Sequence, residues 1–164
     1  MTLSRKLAIL VLASTGIAAC AIAQAGNLHR CSNKSIQGSY ASTCTGTVVI
    51  NQSTSMPIAI IGVVTSDGKG HFEGPATADF GGQFMPEYFS TTGPNAQPSV
   101  VNSDCTGTIT YEMYTANPIS QDSVDLGPLP IDFVVMDDGN QIRGMPTAPG
   151  YIVTCQLIRV HQPE

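Results

Sequence analysis

From Gly38 to Val160 short apolar runs alternate with turn residues, and no linker interrupts them. Runs of this length bounded by Gly, Pro, Asn, Asp and Ser read as strands. The first is Ser39 to Ile50, followed after the polar stretch Asn51-Gln52-Ser53-Thr54-Ser55 by Ile58 to Thr65. Asp67-Gly68 suits the positive φ angles of a hairpin turn, so His71 to Asp79 is expected to return antiparallel to Ile58–Thr65. Gly81-Gly82 marks the next reversal, and Gln83 to Thr92 is a strand in which Pro86 signals an edge or a bulge. Gly93 to Ser99, with two prolines, reads as a loop. Thr106 to Thr115 alternates, with Gly107, Ile109, Tyr111 and Met113 on one side and Thr106, Thr108, Thr110 and Glu112 on the other, solvated side. Ala116 to Pro130 reads as the longest irregular segment, a lid over one end or a passive crossover. Ile131–Met136, the turn Asp137-Asp138-Gly139-Asn140, Gln141–Met145 and Tyr151–Val160 complete about eight strands.

The expected fold is therefore all-β: a single antiparallel meander of about eight strands. A closed barrel, which abolishes exposed edges, is preferred, and a two-sheet sandwich is the alternative. Composition agrees, with 16 Gly, 11 Pro and only 12% charged residues. The strongest helix formers are scarce after Gln24, Lys occurring there only at 34 and 69. Several strands are apolar on both faces: Ile58, Ile60 and Val64 against Ile61 and Val63, and Ile131, Phe133 and Val135 against Val134 and Met136. One face fills the interior. The other is left for a second copy of the chain, a covering segment such as the lead-in, or tolerated surface.

Residues 1–25 have the build of a secretory signal: Arg5 and Lys6, an apolar run from Leu7 to Leu12 continuing to Ile17, then small residues. Ser14, Thr15 and Gly16 interrupt the run, which argues against the span of about 20 apolar residues that a membrane helix needs. Ala21-Ile22-Ala23 and Ala23-Gln24-Ala25 are cleavage sites for soluble release to the periplasm or medium, the preferred route. Ile17-Ala18-Ala19-Cys20 looks like a bacterial lipobox, and in that alternative Cys20 carries lipid as the only membrane attachment. Residues 26–37 form a polar lead-in and residues 38–160 the β domain. Losing Arg5 and Lys6 moves the net charge from −5 to −7, and the remaining Arg and Lys are scattered, so nucleic acid is excluded as a partner. Cys31, Cys44, Cys105 and Cys155 survive either route, and an even count in an exported chain reads as two disulfides. No pair has the short spacing of zinc ligands, and no pattern calls for a metal or another cofactor.

The three histidines do not cluster, and no G-x-S-x-G elbow, H-E-x-x-H or Gly-rich phosphate loop occurs. Asp137-Asp138-Gly139-Asn140 lacks the ligand pattern of an EF-hand and reads as a plain turn. Glu87 shares a face with Met85 and Phe89; an interior position would raise its pKa and suit it to acid or base work. A bulge at Pro86 that turns Glu87 to water is the favoured expectation. Tyr40, Tyr88, Tyr111, Tyr114 and Tyr151 with Met85, Met113, Met136 and Met145 are the natural lining for a small apolar ligand, rings with polar tips beside adaptable sulfur chains, and Tyr40, Met85, Glu87, Tyr88, Tyr111 and Met113 are the candidate site residues. Such residues equally fill a closed core, and for eight strands the filled core is preferred. Asn33-Lys34-Ser35 and Asn51-Gln52-Ser53 match the glycosylation pattern, which matters only in a eukaryotic source.

Cys31-Ser32-Asn33 with Gly38-Ser39-Tyr40, then Gly62 to Gly70, Val101-Asn102-Ser103-Asp104-Cys105-Thr106-Gly107-Thr108 and Asp132-Phe133-Val134-Val135, stand in an order that resembles a loosely defined group of short exported bacterial proteins of unknown function. The resemblance covers most of the chain after the signal. It implies a calycin-like barrel and a Cys31–Cys105 bridge, leaving Cys44 to pair with Cys155. Closing a meander barrel brings the first and last strands together, which fits that second bridge. The resemblance supplies no catalytic residues. The functional expectation is an exported, non-enzymatic barrel that binds a small apolar ligand or a protein partner through one mouth and the Ala116–Pro130 loop. The alternatives are an isomerase or cyclase using Glu87, or a surface structural or adhesion protein.

Overall fold

The computed structural model describes residues 30–115 and 123–160. The signal segment, the Cys20 lipobox and the start of the lead-in lie outside these residues. Nine strands follow in order: β1 (Gly38–Asn51), β2 (Thr54–Ser66), β3 (Phe72–Phe80), β4 (Gln83–Ser90), β5 (Gln97–Val101), β6 (Thr106–Tyr114), β7 (Asp125–Met136), β8 (Gln141–Pro146) and β9 (Tyr151–Arg159). They form one sheet in the order β4-β3-β2-β1-β9-β8-β7-β6-β5, and β4 pairs again with β6. The fold is thus a closed antiparallel barrel of eight strands, β1–β4 and β6–β9, with β5 added beside β6. This is an all-β, calycin-like barrel, not a sandwich.

Closure depends on β1 and β9, which pair without a break from Tyr40↔Arg159 to Val48↔Tyr151. Cys44 stands directly opposite Cys155, and the two are joined by a disulfide. Along each strand alternate side chains enter the barrel. Ile58, Ile60 and Val64 of β2, Ile109, Tyr111 and Met113 of β6, and Phe133 and Val135 of β7 are buried. Each such side chain contributes roughly 1.5–3 kcal/mol. The outward set stays in water, with Ile61 64% and Val63 47% exposed and Val134 and Met136 also exposed. The described part of the lead-in, residues 30–37, leaves these outer faces exposed. It covers one end of the barrel.

That end, termed the lower end, holds Gly38, Ser66 and Arg159. A short 3-10 helix, Asn33–Ile36, lies across it and buries Ile36 completely. The Tyr40 hydroxyl donates to the Gly139 carbonyl at 2.7 Å and accepts from Arg159 Nη2 at 2.9 Å, while Nη2 also donates to the Ser35 carbonyl at 2.8 Å. The Arg159 guanidinium lies 5.5 Å from the centre of the Tyr40 ring. Gly139 has φ +86°, and a Cβ there would run into the Ser35 carbonyl, so this turn can sit against the 3-10 helix only with glycine. Cys31 is bonded to Cys105 in the turn before β6. Asn33 uses its amide as a surrogate strand: Nδ2 donates to Ser99 O at 2.9 Å and Oδ1 accepts from Val101 N at 3.0 Å. The free edge of β5 is thereby occupied.

Three expectations need correction. Gln97–Val101, partly assigned to a loop, is strand β5. Of the irregular segment expected as a lid or a passive crossover, residues 116–122 lie outside the described residues, and Asp125–Pro130 is the first half of β7. Its prolines are tolerated because β7 pairs there with β6 alone; β8 joins only from Ile131↔Pro146. Pro86 produces no bulge, since β3 and β4 pair continuously from Phe80↔Gln83 to Glu73↔Ser90. The edge signal was correct, because β6 pairs with β4 only from Tyr88 onward.

Replacing Cys44 and Cys155 together by Ala is expected to lower unfolding stability by about 3–5 kcal/mol in urea melts while the far-ultraviolet spectrum stays β-type, because the bridge constrains a long loop of the unfolded chain. Asn33→Ala leaves Val101 N–H and Ser99 O without their partner and should cost about 1–3 kcal/mol, with faster amide hydrogen exchange at Val101.

Candidate functional site

The unbroken β3–β4 register decides where Glu87 goes. With no bulge at Pro86, alternation carries Glu87 and Phe89 into the barrel, and Glu87 is only 3% exposed. The favoured expectation of a solvated Glu87 is therefore overturned. Its carboxyl borders an interior cavity of about 70 Å³ walled almost entirely by apolar side chains. Tyr111 meets Phe72 edge-on at 6.4 Å and Phe89 at 5.5 Å between ring centres, forming an aromatic wall on one side. Met113, Leu129, Tyr151 and the Cys44–Cys155 bridge also border the space.

Electrostatically the cavity has one acidic centre. Burial raises the Glu87 pKa to about 7, with no opposing contribution from a cation. Glu87 Oε2 is buried without a hydrogen-bond partner. Burial also raises the Tyr111 hydroxyl far above its usual range, and raises Tyr151, which additionally feels the Glu87 charge. No Lys, Arg or His lies in the wall, and no His, Cys, Asp and Glu cluster among the described residues has the makings of a metal site.

Of the candidate lining residues, Glu87, Tyr111 and Met113 meet at this cavity. Met85 packs against the core from the same strand face, outside the cavity wall. Tyr40 belongs to the sealed lower end, and Tyr88 takes the opposite face of β4, beside Glu73. Tyr151, at the start of β9, lines the cavity as expected and feels the Glu87 charge, whereas Met136 and Met145 are exposed. Glu112 differs from expectation. It is fully buried, because the loop after β4 folds over it and Asn95 donates to it from N at 3.1 Å and Nδ2 at 3.3 Å. A second, wider depression of about 790 Å³ crosses the outer face of β1 and β6–β9, lined by Thr43, Thr45, Thr106, Thr108 and Thr154 with Asp132 and Arg143. It presents exposed hydroxyls and no buried polar group, so the interior is the stronger candidate.

Comparison with known protein families, with curated proteins and with solved structures finds no match to this chain. The site is therefore interpreted from its own chemistry.

A carboxyl that releases its proton near 4.5 when unfolded and near 7 when folded makes the native state the better proton binder between those values. Stability then falls as pH rises from about 4.5 to about 7 and stays lowered above that, by about 3 kcal/mol for this group. Glu87→Gln removes the term. In urea melts the variant should match the wild type near pH 4 and exceed it by about 3 kcal/mol near pH 8; equal stability at both would place the carboxyl in water.

Proposed function

We propose that this chain is exported and that its barrel binds a small, compact, largely apolar molecule, with Glu87 as the polar anchor. One observation carries the reading: a single buried carboxyl with an unpartnered oxygen faces an otherwise apolar interior space. Sequences selected only for packing satisfy or avoid such groups, because an unpartnered buried polar atom costs about 1–3 kcal/mol or more when charged. Export is supported by the signal-like residues 1–25 and by the two disulfides, which fit an oxidising compartment. Among the described residues no helix is long and apolar enough to cross a membrane. Soluble release is preferred over a lipid anchor at Cys20.

A second reading is favoured by the same carboxyl. A pKa near 7 is suited to proton transfer, so an isomerase or cyclase with Glu87 as acid and base also fits, with Tyr151 and Tyr111 shaping the space.

Native mass spectrometry of the protein purified from its own host is expected to show a bound organic molecule that leaves on unfolding. Recovery of that molecule unchanged after incubation supports binding, and its conversion by wild type but not by Glu87→Gln supports catalysis. In parallel, xenon is expected to shift the methyl resonances of Met113 and Leu129. A ligand-free mass together with unmoved methyls would reject an interior site.

A further inference from the structure

We infer that the molecule held in the barrel is a small aliphatic amine, its ammonium group on Glu87 and its hydrocarbon part against the aromatic wall. The inference rests on the interior-binding reading above and specifies the ligand's head group.

The surroundings of Glu87 argue for a positive partner brought from outside the protein. Its carboxyl is 97% buried in terms of residue surface, the complement of its 3% exposure, and Oε2 has no hydrogen-bond partner. Around the cavity β6 contributes Tyr111 and β9 contributes Tyr151 as titratable groups; β2, β3, β7 and β8 contribute apolar or uncharged residues, and β1 contributes Ser42 and one half of the disulfide. Glu112 is on the opposite face of β6, held by Asn95. No cation among the described residues therefore neutralises Glu87. An anionic ligand would be repelled here, and a neutral one would bring no charge to balance the carboxylate.

The rest of the wall suits the same chemistry. The rings of Phe72, Phe89, Tyr111 and Tyr151 border the cavity, and aromatic rings stabilise a desolvated cation as well as hydrocarbon. The net acidity of the chain, −5 over the whole sequence, favours approach of cations. Size sets a limit. The cavity of about 70 Å³ is less than half the roughly 150 Å³ apolar cavity that accepts the six heavy atoms of benzene, which points to an amine of about three heavy atoms.

An alcohol of the same shape is the informative competitor, because it accepts a hydrogen bond from the neutral carboxyl and cannot supply charge. The amine requires ionised Glu87. With that group half ionised near pH 7, amine affinity should rise about tenfold from pH 6 to pH 8, whereas alcohol affinity should fall.

The test uses the disulfide-intact protein, titrated with ethylamine and ethanol at pH 6 and pH 8 and followed by methyl chemical shifts, with xenon as the apolar probe. Expected are at least tenfold tighter binding of ethylamine than ethanol at pH 8, the opposite pH trends just described, and loss of the amine preference in Glu87→Gln. Xenon binding with equal affinity for both molecules, or an amine preference that survives Glu87→Gln, overturns the amine assignment and leaves an interior ligand site standing. If xenon and both molecules fail to shift the interior methyls, the amine assignment and the interior site fall together. The wild-type pH trend decides the question should the variant not fold.

Discussion

The structure depends on the meeting of β1 and β9. A curved sheet of this kind has two open edges until its first and last strands pair, and only closure creates an enclosed interior. The unbroken pairing from Tyr40↔Arg159 to Val48↔Tyr151 supplies that closure. The Cys44–Cys155 bridge stands across it and fixes its register. A slip of β9 by one residue would exchange its inner and outer faces, carrying Val153 outward and Thr154 inward. The same bridge borders the cavity, so the closure device and the candidate site share one wall.

The two ends of the barrel are built differently. At the lower end, Asn33, Tyr40, Gly139 and Arg159 bind the lead-in to turns and strands from both halves of the chain. From there the rings Tyr40, Phe72, Tyr111 and Phe89 form a continuous series, with successive centres 6.5, 6.4 and 5.5 Å apart. The seal is thus packed directly into the aromatic wall of the cavity. Polar order is concentrated in the seal, and the interior beyond it is apolar apart from Glu87, Ser42 and the two tyrosine hydroxyls. This separation leaves burial to hold the Glu87 carboxyl above its usual range, because no dipole or cation from the seal stabilises its charge.

Much of the fold was legible because strand period and turn chemistry act locally. Asp67-Gly68 and Gly81-Gly82 mark real reversals, and the alternation of Gly107, Ile109, Tyr111 and Met113 correctly identifies the inner face of β6. Proline-bearing strands were harder, since the cost of a missing N–H depends on whether a neighbour strand is present. That neighbour is set by topology, which is why Asp125–Pro130 and Gln97–Val101 read as irregular yet pair as strands. Glu87 and Glu112 were misread for a related reason. The burial of each follows from an intact register or an overlying loop, and neither leaves a mark in the adjacent residues. Tyr40 looked like ligand lining because its type fits both roles; only the distant partners Gly139 and Arg159 assign it to the seal.

The placement of those partners also governs the order in which this chain assumes its shape. Residue 31 bonds to residue 105, Tyr40 reaches Gly139 and Arg159, and Cys44 waits for Cys155. A polypeptide emerging from its amino end can assemble the β1–β4 ribbon early, but that ribbon keeps raw margins until the final nine residues of β9 arrive. Completion is therefore a terminal event, and loss of even that last strand would leave a molecule with two sticky borders and no inside.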